Sequence, residues 1–265
     1  MRKTLTLVLV MLMVSMFAAD CSGINQIRGS GNIVSKERKI SGVEGVHLGT
    51  IGTLHVRIGG GEKLVVEAED NLQEFIKTKM KGDVLTITLE SEGGINATKD
   101  IHYYLTVKKL DLIKLSSAGD AIIEDDVKSD EFEIVISSAG DLKMQDIDAR
   151  EVDISVSSAG DVSIKNLKAK ELGVRISSAG DVVIGGGEVE EQDIHISSAG
   201  DYKADRLSCK DAEVMLNSSG DALIMVKDRL DATISSSGSL RYIGDPVVHS
   251  RTSSSGDIIR VKGSL

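Results

Sequence analysis

"RISSAGDVVI", residues 175–184, is one copy of a phrase that the chain repeats. Ser-Ser-Ala-Gly-Asp starts at Ser116, Ser137, Ser157, Ser177 and Ser197, and decayed copies start at Asn217, Ser235 and Ser253. With the Gly as origin, Gly119, Gly140, Gly160, Gly180, Gly200, Gly220, Gly238 and Gly256 are spaced 21, 20, 20, 20, 20, 18 and 18 residues. A fixed period of this length marks a stacked-repeat architecture.

The apolar positions identify the repeating unit. Four residues before each Gly stand Leu115, Ile136, Val156, Ile176, Ile196, Leu216, Ile234 and Thr252. Two after it stand Ala121, Leu142, Val162, Val182, Tyr202, Ala222, Leu240 and Ile258. The residues between alternate with polar ones, the signature of strands with one buried face. A second apolar pair recurs mid-period, as in Ile147 with Ala149 and Leu207 with Cys209. No helical stripe follows residue 82, so strands must cover strands. The expectation is an all-β, single-stranded, right-handed parallel β-helix of about 20 residues per rung.

Within this frame the second Ser of each phrase (Ser138, Ser158, Ser178, Ser198) points inward, where hydroxyls can form a ladder from rung to rung. Gly permits a tight corner, by the absence of a side chain or by a positive φ. The first Ser, the Ala and the Asp point outward as three columns. Around Gly52, Val46, Leu48, Leu54 and Val56 fit the same template, and around Gly31 so do Ile27 and Ile33. The organisation read from this is a leader at 1–20 and a single domain at 21–265. That domain has irregular N-terminal rungs with an insertion at 25–110, serving as a cap, and regular rungs at 111–265.

Composition narrows the functional classes. The net charge of −10 disfavours nucleic acid, whose phosphates need a basic stripe. Aromatics make up 3% of the chain and Trp is absent, so Ile, Val, Leu and Ala must fill the core. Arg2 and Lys3 precede an apolar run from Leu5 to Phe17, which reads as an export signal. Cys21 then stands where a bacterial lipoprotein carries its lipidated residue, and lipidation there would anchor the chain to a membrane; plain secretion with cleavage near Ala19 is the alternative. If Cys21 is lipidated, Cys209 has no internal partner.

Gly29-Ser30-Gly31-Asn32, the turn after Gly52, the Glu67–Leu72 segment (EAEDNL) and the serial Ser-x-Gly-Asp turns resemble the head GIN domain family of auto-transporter adhesins. The resemblance covers roughly residues 25–260. It implies a β-helix, an exported location and an adhesive role, and it brings no catalytic residues.

The search for chemistry returns columns rather than a catalytic constellation. His47, His55, His102, His195 and His249 lack metal-ligand spacing, and the glycine runs at 59–61 and 185–187 match no phosphate loop. Cys209 falls in an inward slot and reads as an inert buried thiol. The chain is therefore read as a non-enzyme without cofactor or metal. A carbohydrate-active β-helix is the enzymatic alternative, against which stand periodic carboxylates and scattered tyrosines.

Asp120, Asp141, Asp161, Asp181, Asp201, Asp221 and Asp257 form one outward column. Either turn N–H groups cap them, or cations such as calcium lie between rungs. Ala139, Ala159, Ala179 and Ala199 form another, small where long polar residues would favour solubility. That points to a face against which something lies, although duplication of a rung would also copy Ala. The partner expected is an unidentified protein or glycan of the cell surface or envelope, whether periplasmic or extracellular. Self-association, as in a β-helical filament, is the alternative.

Overall fold

The computed structural model describes residues 26–217, 219–235, 237–253 and 255–262. Cys21 and the apolar leader lie outside these residues. The N-terminal part contains β1 (Ile27–Arg28), β2 (Ile33–Arg38), β3 (Gly45–Gly49), β4 (Thr53–Ile58), β5 (Lys63–Glu69), β6 (Ile76–Lys81), β7 (Val84–Leu89), β8 (Ile95–Asn96) and β9 (His102–Val107). The repeats contribute β10 (Leu112–Leu115), β11 (Asp120–Ile123), β12 (Val127–Ile136), β13 (Leu142–Val156), β14 (Val162–Ile176), β15 (Val182–Ile184), β16 (Gly187–Ile196) and β17 (Tyr202–Leu216). They end with β18 (Ala222–Ile234), β19 (Ser239–Ile243), β20 (Val247–Thr252) and β21 (Asp257–Arg260).

Among β10 to β21 every pairing is parallel and one period apart. Ile136 lies beside Val156, Val156 beside Ile176, and Ile176 beside Ile196. The chain is thus a parallel β-solenoid, as its period requires. Strands β13, β14 and β17 run 15 residues each, so the corners inside a turn bend the strand without interrupting it. Inward columns of Ile, Val and Leu are almost fully dry: Ile134, Ile154, Val174, Ile194 and Val214 are each at 0% exposure. The period shortens to 18 where the β17–β18 register shifts between the Ala204 and Ser208 pairs.

The corner is built differently from the hydroxyl ladder expected. Ser138 is buried but Ser158, Ser178 and Ser198 are only half-buried. Backbone bonds join the corners instead: the N–H groups of Gly160, Gly180, Gly200 and Gly220 donate to the carbonyls of Ser138, Ser158, Ser178 and Ser198. This brings successive rungs so close that a Cβ on Gly180 would lie 2.3 Å from the Gly160 carbonyl oxygen. Close approach, without a positive φ, is what demands Gly here.

The N-terminal part is a cap with its own threading. β3 and β4 form a rung whose inward Val46, Leu48, Leu54 and Val56 are fully buried, as read from the sequence. Its neighbours in the stack are not its neighbours in the chain. β3 pairs with both β7 and β10, and β4 with both β9 and β11. The residues after β4 therefore cross to the outer side, lay down β7 and β9 as a further rung, and return to continue at β10. β5 pairs antiparallel with β9, β2 with β5, and β6 with β7 through a turn at Gly82-Asp83. The exposed edge formed by β6 carries Lys77, Lys79 and Lys81, which discourage pairing with another chain.

The Gly31 segment corrects the template. β2 runs antiparallel to β5 and Ile33 is 44% exposed, so residues 27–33 are no rung. They are held instead by a buried carboxylate. Glu69, at 0% exposure, accepts from the Gly31 N–H (2.6 Å), the Thr98 N–H (2.9 Å) and the Thr98 hydroxyl (2.6 Å). Beside it Asp70 accepts from Ser30 and Asn32, and Asn71 donates to the Arg28 carbonyl. The Gly-Ser-Gly-Asn and Glu-Ala-Glu-Asp-Asn-Leu motifs are thus two halves of one clasp.

The Thr98 hydroxyl bond, ahead of the opposing effect of burial, holds Glu69 below its usual value of 4.5. A depressed carboxylate stabilises the fold above its unfolded pKa, and that contribution disappears as pH falls through the folded value. Acidification below about 4.5 should therefore loosen the clasp before the repeats. Amide exchange measured down the pH scale checks this: Gly31 and Thr98 should lose protection while Ile176 keeps it.

Candidate ligand-binding surfaces

Three surfaces present chemistry to solvent. The first is the ledge of Ser-Ala-Asp columns. Ala139, Ala159, Ala179 and Ala199 are all exposed, and so are Ser137, Ser157, Ser177 and Ser197. The Asp column beside them is a ladder in which each carboxylate accepts the backbone N–H of the residue one rung on. Asp120 receives Asp141 (2.9 Å), Asp141 receives Asp161 (3.1 Å), Asp161 receives Asp181 (2.9 Å) and Asp181 receives Asp201 (2.8 Å). Asp201 receives Asp221 (3.0 Å), and Asp221 receives Ser239 (2.9 Å). Asp257 stands in the last rung, its N–H bonded to the Gly238 carbonyl.

Magnitudes explain why the column is tolerated. Carboxylates ~4.8 Å apart repel by about 0.9 kcal/mol per pair in water. A hydrogen bond to a charged acceptor is worth roughly 1.5–3 kcal/mol. The ladder bonds outweigh the repulsion. Each Asp from Asp120 to Asp221 uses Oδ1 for its rung and leaves Oδ2 for solvent or a ligand.

The second surface is an acidic groove of about 470 Å³ along the run that leads into the Ser-Ser-Ala-Gly-Asp corner. Glu151, Glu171, Glu191 and Asp211 are in register there, and Glu131 continues the column one rung earlier, so one carboxylate stands beside the next. The parallel column Asp153, Gly173, Asp193, Glu213 omits one side chain, and Arg175 approaches Asp153 at 3.6 Å.

The third surface is at the cap and was not legible as a site. His55 on β4 lies in register with Tyr104 on β9, and their rings stack with centroids 5.1 Å apart at 19°. His102, two residues before Tyr104 on the same face, completes a triangle at 6.0 Å from Tyr104 and 5.6 Å from His55. Tyr104 is 42% exposed, whereas Tyr103 and Tyr202 are buried. Polar groups frame the rings. Glu124 takes His55 Nδ1 at 3.3 Å and Arg57 Nε at 2.7 Å, and Glu67 pairs in register with His102. Burial, then the Glu67 and Glu124 carboxylates, raise the Tyr104 phenol above its usual value. His102 Nδ1 is buried and has no hydrogen-bond partner among the described residues. His102 also lines a cleft of about 460 Å³ shared with Thr53, Thr98, Lys99 and Asp100. The signal was present as His-x-Arg at the third and fifth positions after Gly52, but Tyr104 lies 49 residues beyond His55 and only the cap's threading unites them.

Elsewhere, His195 contacts Asp193 on the surface at 3.0 Å. Cys209 is buried at 1% exposure and burial pushes its thiol up to about 12, so it holds almost no thiolate at neutral pH.

Comparison with known proteins matches the family model described as "Putative auto-transporter adhesin, head GIN domain" over residues 42–246. No curated protein matches by sequence. Solved structures do. A "putative adhesin" from Parabacteroides distasonis superposes with a TM-score of 0.79 at 21% identity, covering 89% of this chain and 100% of its own. One from Parabacteroides merdae gives 0.78 at 20%, covering 89% and 99%. A "putative lipid binding protein" from Parabacteroides distasonis gives 0.76 at 23%, covering 90% and 100%. The adhesins and the family carry names of binding proteins and not of enzymes.

Proposed function

Because the chain belongs to the family described as "Putative auto-transporter adhesin, head GIN domain", we propose that it is an exported, lipid-anchored binding module that holds a partner against its ledge. One observation carries this reading: the exposed Ala139, Ala159, Ala179 and Ala199 form a strip of small side chains, one per rung, on a backbone hydrogen-bonded from rung to rung. A rigid strip of small side chains beside a row of carboxylate oxygens offers close backbone approach and repeated hydrogen-bond acceptors. Ligands that bind along it would be extended and would pair at the rung repeat. Lipidation of Cys21 would hold the module at the membrane by its N-terminus. The acyl chains supply the anchor, so the β-solenoid itself need not enter the bilayer.

The test compares whole cells carrying the wild-type chain, Cys21→Ser, and the double variant Ala159→Arg with Ala179→Arg. Cys21→Ser should leave the membrane fraction. The double variant should stay there, fold normally, and lose at least about tenfold in attachment to the surface that wild-type cells colonise. Undiminished attachment by the folded double variant refutes the ledge, and a membrane-bound Cys21→Ser chain of unchanged mass refutes the anchor.

A further inference from the structure

The ring triangle at the cap is built unlike the rest of this surface. The repeats present mostly small, charged and single aliphatic residues to solvent, with His195 and His249 each alone, and the core uses aliphatic side chains almost throughout. In a chain with four tyrosines and no tryptophan, one partly exposed tyrosine is set beside two histidines whose rings are tilted 19° and 24° from its own, on an open sheet. Packing does not require it, since Tyr104 remains 42% exposed. Beneath the rings, the in-register partners Leu54 and Tyr103 already close the core.

We propose that the outer face of β4 and β9 is a carbohydrate subsite, in which a neutral pyranose stacks on the Tyr104–His55–His102 platform. The axial C–H groups of a sugar with equatorial hydroxyls form an apolar, slightly positive face, complementary to the negative face of an aromatic ring. The hydroxyls at the ring's edge then need acceptors and donors at its rim. Glu67 and Glu124 supply acceptors, and Arg57, with its side chain 67% exposed, supplies N–H donors beyond those bound by Glu124. His102 also lines the adjoining cleft, where its imidazole can meet a ligand hydroxyl.

Direction and charge follow from the same geometry. The cleft lined by Thr98, Lys99 and Asp100 continues from His102, so a second sugar unit has polar partners on that side. On the other side Tyr104 and His55 give way to Ile122 on β11 and then to Lys143 on β13. The Asp120–Asp141 ladder runs along this path, and the whole chain carries −10. Uronic or sialylated sugars would meet repulsion, whereas a neutral chain would not. The ligand class is therefore a neutral, equatorially linked oligosaccharide, a binding site only, with no bond made or broken.

This inference rests on the reading of the chain as a surface binding module, but its site is separate from the ledge. Its test uses the purified chain, titrated with cellohexaose, chitohexaose and hexagalacturonic acid while the imidazole NMR signals are followed. The two neutral probes distinguish a glucan from an N-acetylated source of the same ring chemistry. We expect at least one neutral hexaose to move the His55 and His102 signals. Tyr104→Ala should weaken it by about tenfold or more, Tyr104→Phe should hold within about threefold, and hexagalacturonic acid should not bind. Both substitutions are at an exposed ring, and circular dichroism confirms their fold. The proposal is overturned if neither neutral probe binds at millimolar concentration, if Tyr104→Ala binds as wild type does, or if the acidic probe binds as tightly as the neutral ones. Loss of cell attachment in the ledge variant, with hexaose binding intact, would separate the two sites.

Discussion

Ile176→Asp should unfold the solenoid locally and cost several kcal/mol, enough to remove much of the stability of an ordinary domain. Ile176 is 1% exposed and sits between Val156 and Ile196, each as dry as itself. A carboxylate there has no partner in a column of hydrocarbon and either ionises at great cost or stays protonated without a hydrogen bond. The neighbouring residue provides the control. The Arg175 side chain is 58% exposed and its approach to Asp153 is a surface pair, so Arg175→Ser should change stability by no more than about 0.5 kcal/mol. Chemical denaturation of the two variants checks the pair. Similar midpoints would mean that the inward and outward faces are misassigned.

Gly180→Ala is the second large effect, and it adds a single methyl group. The new Cβ would lie 2.3 Å from the Gly160 carbonyl oxygen and 2.8 Å from that of Ser158. Both are backbone atoms tied into the corner ladder, so neither can rotate away. The rungs must separate, which breaks the Gly180 N–H bond to Ser158 and strains the Asp161–Asp181 bond beside it. The expected cost is on the order of 3 kcal/mol. Ala179→Gly, one residue away on the exposed ledge, should cost less than about 1 kcal/mol. Thermal melting of both variants checks this, and a harmless Gly180→Ala would show that the corner is looser than its bonds imply.

The repeats were readable because they stack in register. When the residues of one column are 20 apart, a list of the residue four before each Gly is also a list of spatial neighbours, and Ile136, Val156, Ile176 and Ile196 prove to be just that. The Asp column could be placed for the same reason. Its bonding could not be chosen from sequence, since N–H capping and cation binding require the same residue at the same spacing. The cap was readable only in part. Alternation places Leu54 and Val56 indoors, but it carries no information about strand direction, so Ile27 and Ile33 around Gly31 imitated a rung that does not exist. Nor does a period reveal the order of stacking. Residues 84–107 lie outside residues 45–58, and this threading is what assembles His55, His102 and Tyr104. Scattered in the sequence, the three looked like unrelated surface residues.

That threading gives the two ends of the molecule different mechanical strengths. Tension applied at the C-terminus meets β21 and β20, each hydrogen-bonded along one side only among the described residues, and can strip the rungs one after another like a zip. Tension applied at the N-terminus meets the Glu69 clasp and β2, which β5 holds along one side, and then β3 and β4, which are gripped on both sides. They cannot leave until β7 and β9, later in the chain, have been pulled aside or both ladders shear at once. A chain tethered at its N-terminus would therefore bear load at β3 and β4, and would yield, if pulled far enough, at the singly held rungs of β20 and β21.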